Sequence, residues 1–235
     1  MKKFFRIFIY AAGMLILAFA LVLNSKTGLG VTPIISVSYA ISEITGGNFG
    51  DITFWLYALF VALQIVIHMI IWRRRHRLPA GSLARQILLD ILQIPLSFGF
   101  TRFMNVFSGM LPRLDTDLAG TFWGSMGGRL LVLGIAIVLT GTGAAMTLAM
   151  RLIPNPGDGI VQAVSDLSGW SVGLAKNIMD VLNISVAIVI GLIGSGRLVS
   201  VGIGTAVAVV GVGRMVALFN HFFLEKMQAA AGMEE

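Results

Sequence analysis

An all-α polytopic membrane protein is what this sequence predicts, and three observations carry that reading. Of the 235 residues, 57% are hydrophobic and 12% charged, about half the charged share of a soluble domain. Six apolar stretches reach the ~20 residues that a helix needs to cross the ~30 Å hydrocarbon core. The chain also repeats itself: residues 29–67, moved forward by 123 positions, fall without a gap on residues 152–190. Pro33 then meets Pro156, Ala40 meets Ala163, Gly46 meets Gly169 and Gly50 meets Gly173. Roughly a quarter of the aligned pairs are identical. Shared hydrophobicity would match Leu with Val; it would not align prolines and glycines. The expected fold is therefore two homologous, inverted repeats, each of three transmembrane helices plus one short re-entrant or partial helix.

The elements follow in order. Residues 4–23 form the first span. The preceding Lys2 and Lys3 give it the look of a signal peptide, but the run is long and has no small-x-small cleavage site. Residues 31–46 are too short and too polar for a full crossing. Thr32-Pro33 places a cap residue before a proline at the first helical position, and Gly46 supplies a stop. Residues 52–72 and 83–106 are the second and third spans. Residues 107–128 form an external loop with a short interfacial helix, holding Arg113, Asp115 and Asp117. The second copy repeats the plan with spans at 129–150, 172–194 and 199–222. Between its first two spans lies the short polar segment 154–169, opened by Asn155-Pro156 with Asp158 in the first turn, where the helix dipole favours an acid. The organisation is thus 1–106 first repeat, 107–128 loop, 129–224 second repeat and 225–235 a frayed, polar cytoplasmic tail.

Charge orients the chain. Lys2, Lys3 and Arg6 sit at one end of the first span, and Arg73, Arg74, Arg75 and Arg77 follow the second. The positive-inside rule puts both groups in the cytoplasm, so an even number of crossings separates them. Two spans with a non-crossing segment 31–46 satisfy that. Each half then crosses three times, the second enters upside down, and both termini are cytoplasmic. If segments 31–46 and 154–169 both cross, there are eight spans and the halves are parallel.

The net charge of +6 and the absence of cysteine narrow the function. The basic balance reads as cytoplasmic Lys and Arg facing anionic lipid, not as nucleic-acid binding. No disulfide, Fe–S or thiol chemistry is available, and three scattered histidines do not make a metal site. Neither a phosphate-binding loop nor a nucleophile–base spacing is present, so neither enzyme activity nor a cofactor is expected.

Polar residues within the spans mark the candidate site. Thr53, Tyr57, Gln64 and His68 share one stripe of the second span; the equivalent stripe in the second copy holds Lys176, Asp180 and Asn183. Lys176 and Asp180, four apart, either pair only with each other or serve a solute. Gln86, Asp90 and Gln93 share a face of the third span. Arg214 in the last span aligns next to Asp90 and is its expected partner, either as a bond tying two helices or as part of a proton-coupling site. Small residues at 202–213 and the Gly124/Gly128 spacing suit close packing or a homodimer.

Leu29-Gly30-Val31-Thr32-Pro33 and Pro154-Asn155-Pro156-Gly157-Asp158-Gly159 resemble the paired Leu-Gly-x-x-Pro and Gly-x-x-Pro-x-Asp-Gly elements of the YczE/YyaS/YitT family of bacterial membrane proteins. Gly202-Ile203-Gly204-Thr205 is similar to that family's Gly-x-Gly-Thr element. The resemblance covers nearly the whole chain. It implies a bacterial inner-membrane protein and brings no substrate with it. It departs at Ile35, where the family often has Asp, so a symmetric two-acid site is not expected.

The leading functional expectation is a small secondary transporter working by alternating access. Thr32, Ser36, Asn155 and Asp158 would line its site with Tyr57, Asp180 and Asn183, and Asp90 or Asp180 would couple transport to an ion. The alternative is a non-transporting scaffold or accessory subunit whose Gly-rich faces contact a partner. The topology is directly testable. Single Cys substitutions at Arg75 and Arg197 in this Cys-free chain are expected to label from the cytoplasmic and the external side respectively; the opposite labelling would refute the inverted arrangement.

Overall fold

The computed structural model describes residues 2–74 and 80–233, which contain eight α-helices and no strand. They are α1 (Lys2–Lys26), α2 (Pro33–Thr45), α3 (Phe49–Arg74), α4 (Ala80–Met110), α5 (Met126–Ala149), α6 (Pro156–Ser168), α7 (Val172–Ser195) and α8 (Ile203–Ala231). Six of them, all but α2 and α6, are long and apolar enough to cross a membrane. With its 13 residues, each short helix is about 20 Å long at ~1.5 Å per residue. Their ends follow the sequence signals. Both carry Pro at the first helical position, and both stop at a glycine in the left-handed region, Gly46 at φ 68° and Gly169 at φ 76°.

The two starts differ in one respect. Asn155 caps α6 in the expected way, its side chain accepting from the Gly157 N–H at 3.1 Å. Thr32 does not cap α2: its hydroxyl bonds to nothing among the described residues. Its backbone N–H is instead taken by the side-chain oxygen of Asn24, from the last turn of α1, at 3.1 Å.

Bonds between helices fix their directions. Arg6 Nε donates to the Met150 carbonyl at 2.9 Å, and Arg129 Nε to that of Thr27 at 2.7 Å, so α1 and α5 are antiparallel. Asp51 pairs with Arg102 at one end of α3 and His68 with Asp90 at the other, so α3 and α4 are antiparallel too. Gly204 N–H donates to the Leu29 carbonyl at 2.7 Å, while the far end of α8 reaches Lys2; both described chain ends therefore lie on one face. α2 runs along the second half of α7, from Ser36 beside Asn183 to Ile44 beside Gly194, and α6 packs on α3.

Three expectations are corrected. Residues 225–231 are not a frayed tail but the last two turns of α8, because Leu224 and Met227 pack on Tyr10, Ala149 and Met150. The loop between α4 and α5 holds turns and no α-helix. It is tied down instead by polar bonds: Arg113 grips both Glu43 oxygens at 2.9 Å, and the Leu114 N–H donates to the Lys26 carbonyl at 2.8 Å. There the Arg113 N–H and the Thr116 hydroxyl hold the Asp117 carboxyl below its usual pKa. Gly124 and Gly128 do not form a helix–helix contact; both sit against backbone of that loop, at Leu118 and Phe122. Of the basic cluster after α3, residues 75–77 lie outside the described residues.

Inside, Tyr57, Leu21, Ile35 and Met104 form the centre of the main apolar cluster. Outside, Trp55, Leu59, Val181, Ile193 and many other large apolar side chains are exposed, as a lipid-facing belt requires. The α1–α5 crossing is set by glycine: a Cβ on Gly143 would stand 2.7 Å from the Leu17 nitrogen, which is backbone and cannot give way. Gly143→Val is therefore expected to cost about 1–3 kcal/mol or more, read as a lower melting temperature in detergent. A Cβ on Gly99 meets nothing within 4 Å, so Gly99→Ala is expected to leave that temperature unchanged or raised.

Candidate functional site

A cavity of about 360 Å³ lies where the two short helices begin. Thr32, Pro33 and Ile34 bring in the start of α2, and Pro154, Asn155 and Asp158 the start of α6. The two starts touch: a Cβ on Gly157 would meet the end of the Ile34 side chain, which would have to turn aside. Tyr57 of α3, Thr140 of α5, Gln162 of α6 and Lys176 and Asp180 of α7 complete the polar part of the wall. Leu17, Leu21, Val161, Val212 and Val216 form the apolar part.

Several of these polar groups lack partners. The Tyr57 side chain is 1% exposed and its ring stacks on Phe60 and Phe100, while its hydroxyl has no close hydrogen-bond partner and only the Asn155 side chain near enough to act on it. Thr32 Oγ1 is equally unpartnered. The Asp158 carboxylate is half-buried, and Lys176 and Asp180 act on it only through space. Lys176 itself is bonded to Asp180 at 2.9 Å, the i,i+4 pair expected from their spacing. Two acids against one base leave the cavity with a formal charge of −1 when all three are ionised. Leaving buried donors unbonded costs on the order of 1–3 kcal/mol each, which makes this wall a candidate for polar contacts from outside the chain.

Thr32, Tyr57, Asn155, Asp158, Lys176 and Asp180 thus come together as a sequence-derived set. Ser36 and Asn183 are absent from the wall. Ser36 Oγ donates to the Pro33 carbonyl at 2.7 Å and shares the Asn183 carbonyl at 3.2 Å, which ties α2 to α7. Asp90 also stands apart, and its expected partner is wrong. Arg214 is exposed on α8, while Asp90 is held by His68, whose Nδ1 lies 2.7 Å from the carboxylate. The physical reason is that α4 packs against α3 and not against α8.

From Asp90 a polar chain runs to the start of α6. Gln93 faces Gln64 amide to amide, at 2.9 and 3.2 Å, and Gln64 Nε2 reaches the carbonyl of Pro156, the first residue of α6, at 3.2 Å. Sequence reasoning placed Gln64 and His68 on one stripe and Asp90 and Gln93 on another, but did not match the two. Two polar faces, of four and of three residues, in adjacent apolar spans were the available signal. Asn24, which holds the start of α2, carried a weaker one: it is the lone Asn near the end of an apolar helix.

Residues 4–221 match the profile of a family described as a family of unknown function, DUF6198. The chain is 24% identical over 172 residues, 73% of this chain and 68% of the relative, to the uncharacterized membrane protein YczE of Bacillus subtilis (strain 168). No solved structure matches it. With the matched profile spanning all but the two ends and six helices fit to cross a bilayer, this multi-pass membrane protein belongs to the DUF6198 family, within the YczE-like group.

Proposed function

We propose that this protein is a small-solute secondary transporter, working by alternating access between two inverted repeats of three spans and one re-entrant helix each. One observation carries the reading: two short helices start face to face at a cavity whose wall holds unpartnered Tyr57 and Thr32 hydroxyls and the unbonded Asp158 carboxylate. Helix N-termini offer free N–H groups and partial positive charge, and transporters place such broken helices at the bilayer midplane. A scaffold or accessory subunit would want a packed, dry centre instead.

The helix directions support the inversion. With offset 123, α1, α2, α3 and α4 correspond to α5, α6, α7 and α8. The antiparallel α1–α5 pair then turns the second unit upside down relative to the first. The packing of α2 on α7 has its counterpart in that of α6 on α3. The chain ends share the face where Lys2, Lys3 and Arg6 lie, which the positive-inside rule assigns to the cytoplasm.

One pair breaks the symmetry, and the break is what alternating access needs. α3 and α4 are closely packed and clasped by Asp51–Arg102, Gly50–Asn105, Gln64–Gln93 and His68–Asp90. Their counterparts α7 and α8 scarcely touch, and the cavity occupies the gap between Lys176 and Asp180 on one side and Val212 and Gly213 on the other. The aligned positions carry no such clasp: Asp51 becomes Leu174, Gln64 Ala187, His68 Gly191, Asp90 Gly213 and Arg102 Glu225. The cavity extends past Leu148, Gln162 and Val172 toward the face of the chain ends, so this state faces the cytoplasm. In the opposite state α3 and α4 part and α7 and α8 close. His68–Asp90 is then the pair that must break, which makes it the candidate for proton coupling beside Asp180.

Reconstituted in liposomes, the protein is expected to move a small polar solute. Asp158→Asn should lower that flux at least about tenfold, the effect of losing a charge-assisted bond of ~1.5–3 kcal/mol. Tyr57→Phe should weaken solute binding about fivefold, for a neutral bond of ~1 kcal/mol. A broad solute screen, with and without ion gradients, that finds neither flux nor thermal stabilisation would remove the transporter reading.

A further inference from the structure

The two helix starts at the central cavity differ in chemistry, and the difference selects a class of solute. At α6 the N–H groups of the first turn are met locally: Gly157 donates to the Asn155 side chain at 3.1 Å, and Asp158 and Gly159 to the Asn155 carbonyl at 2.9 and 2.8 Å. The dipole of that helix also has an acid of its own, since Asp158 lies in the first turn. α2 has no acid in its first turn, and its Ile34 N–H makes no hydrogen bond. The Thr32 side chain beside it is buried, with the residue 4% exposed, and its hydroxyl is unbonded. One start therefore presents a spare carboxylate, and the other presents spare donors with partial positive charge.

We propose that the cavity binds a small zwitterion of amino-acid type, its ammonium at Asp158 and its carboxylate at the Thr32 hydroxyl and the start of α2. The assignment deepens the transport reading and rests on it for the solute's being carried. The charges on the wall favour a zwitterion. Lys176 is bonded to Asp180 at 2.9 Å and the two cancel, which leaves Asp158 as the unpaired ion among the described residues of the wall. A solute that is only an anion would meet that carboxylate with no free cation to offset it. A solute that is only a cation would leave the donors of α2 buried and unbonded. A molecule with both charges satisfies both starts. The two charges have to be close together, and so are the starts: Ile34 of α2 stands against Gly157, the residue before Asp158.

Tyr57 adds to the ammonium end. Asp158 and the Asn155 side chain both act on its hydroxyl, so its oxygen is a second acceptor beside the carboxylate. Leu17, Leu21, Val161 and Val212 offer the rest of the wall to an aliphatic side chain. At about 360 Å³ the cavity lies at the small end of the ~300–1,000 Å³ range of ligand sites, which suits a single amino acid.

The experiment is thermal melting and isothermal titration of the detergent-purified protein with the standard L-amino acids. For each one that stabilises, the matching amide, which keeps the cation alone, and the matching 2-hydroxy acid, which keeps the anion alone, are titrated as well. At least one amino acid is expected to bind about tenfold or more tighter than both of its analogues. The variants then separate the two ends. Asp158→Asn is expected to remove the preference over the hydroxy acid, and Thr32→Val to reduce the preference over the amide about fivefold. Both substitutions keep the shape of the side chain, and Thr32→Val breaks no hydrogen bond, so a folding failure of one leaves the other as the test. No stabilisation by any amino acid, binding of the amide or the hydroxy acid as tight as that of the amino acid, or an equal loss of both preferences in Asp158→Asn would each overturn the assignment. Flux in liposomes separates this from the transport reading. A carried solute of a different charge class overturns the zwitterion and leaves transport standing, whereas an amino acid that binds with this pattern and is not moved supports the site and removes transport.

Discussion

A backbone N–H or C=O in hydrocarbon has to find a partner inside the protein, and two helices that begin within the bundle make that demand acute. Each start exposes up to four N–H groups that no helical carbonyl can reach. At α6 the Asn155 side chain takes one of them. At α2 the task passes to Asn24 of α1. Proline at the first position of each helix removes a further N–H from the count. The remaining groups point toward the central cavity, where each helix start contributes partial positive charge. The rest of the bundle serves to hold the two starts together: α7 carries α2, α3 carries α6, and the α1–α5 crossing forms the back of the site.

The polar chain from His68 through Asp90, Gln93 and Gln64 to Pro156 gives that junction a mechanical link to α4. In a low-dielectric interior each of its bonds is strong once formed, and each group is costly if left alone. The chain therefore behaves as a unit that is either whole or broken. A network of that kind suits a two-position element better than a graded one. At the positions 123 residues further on, Gly191 and Ala187 stand in place of His68 and Gln64, so the same network cannot form between α7 and α8.

Glycine does a different job. Gly143 lets α1 and α5 approach to backbone contact, Gly157 lets the two short helices meet, and Gly202 and Gly204 let the start of α8 lie against Leu29 and Gly30. Without a hydrophobic drive between helices in lipid, such close approach supplies the dispersion contacts that hold the bundle. These glycines are used within the chain, which leaves the large apolar side chains to face lipid.

What the sequence determined by itself is local or periodic. Helix number and length follow from runs of apolar residues; the short helices follow from Thr32-Pro33, Asn155-Pro156, Gly46 and Gly169, whose chemistry acts within one turn. Six site residues were legible for the same reason, since a polar group in an apolar span is conspicuous wherever it points. Only the tertiary structure decided who meets whom. Asp90 found His68 and not Arg214, Ser36 turned from the cavity to α7, and Thr32 gave up its cap to Asn24. Those outcomes depend on which helices are neighbours, and in a bundle of similar apolar rods neighbour choice is settled by glycine contacts and loop ties between residues far apart in the chain, which no local pattern encodes.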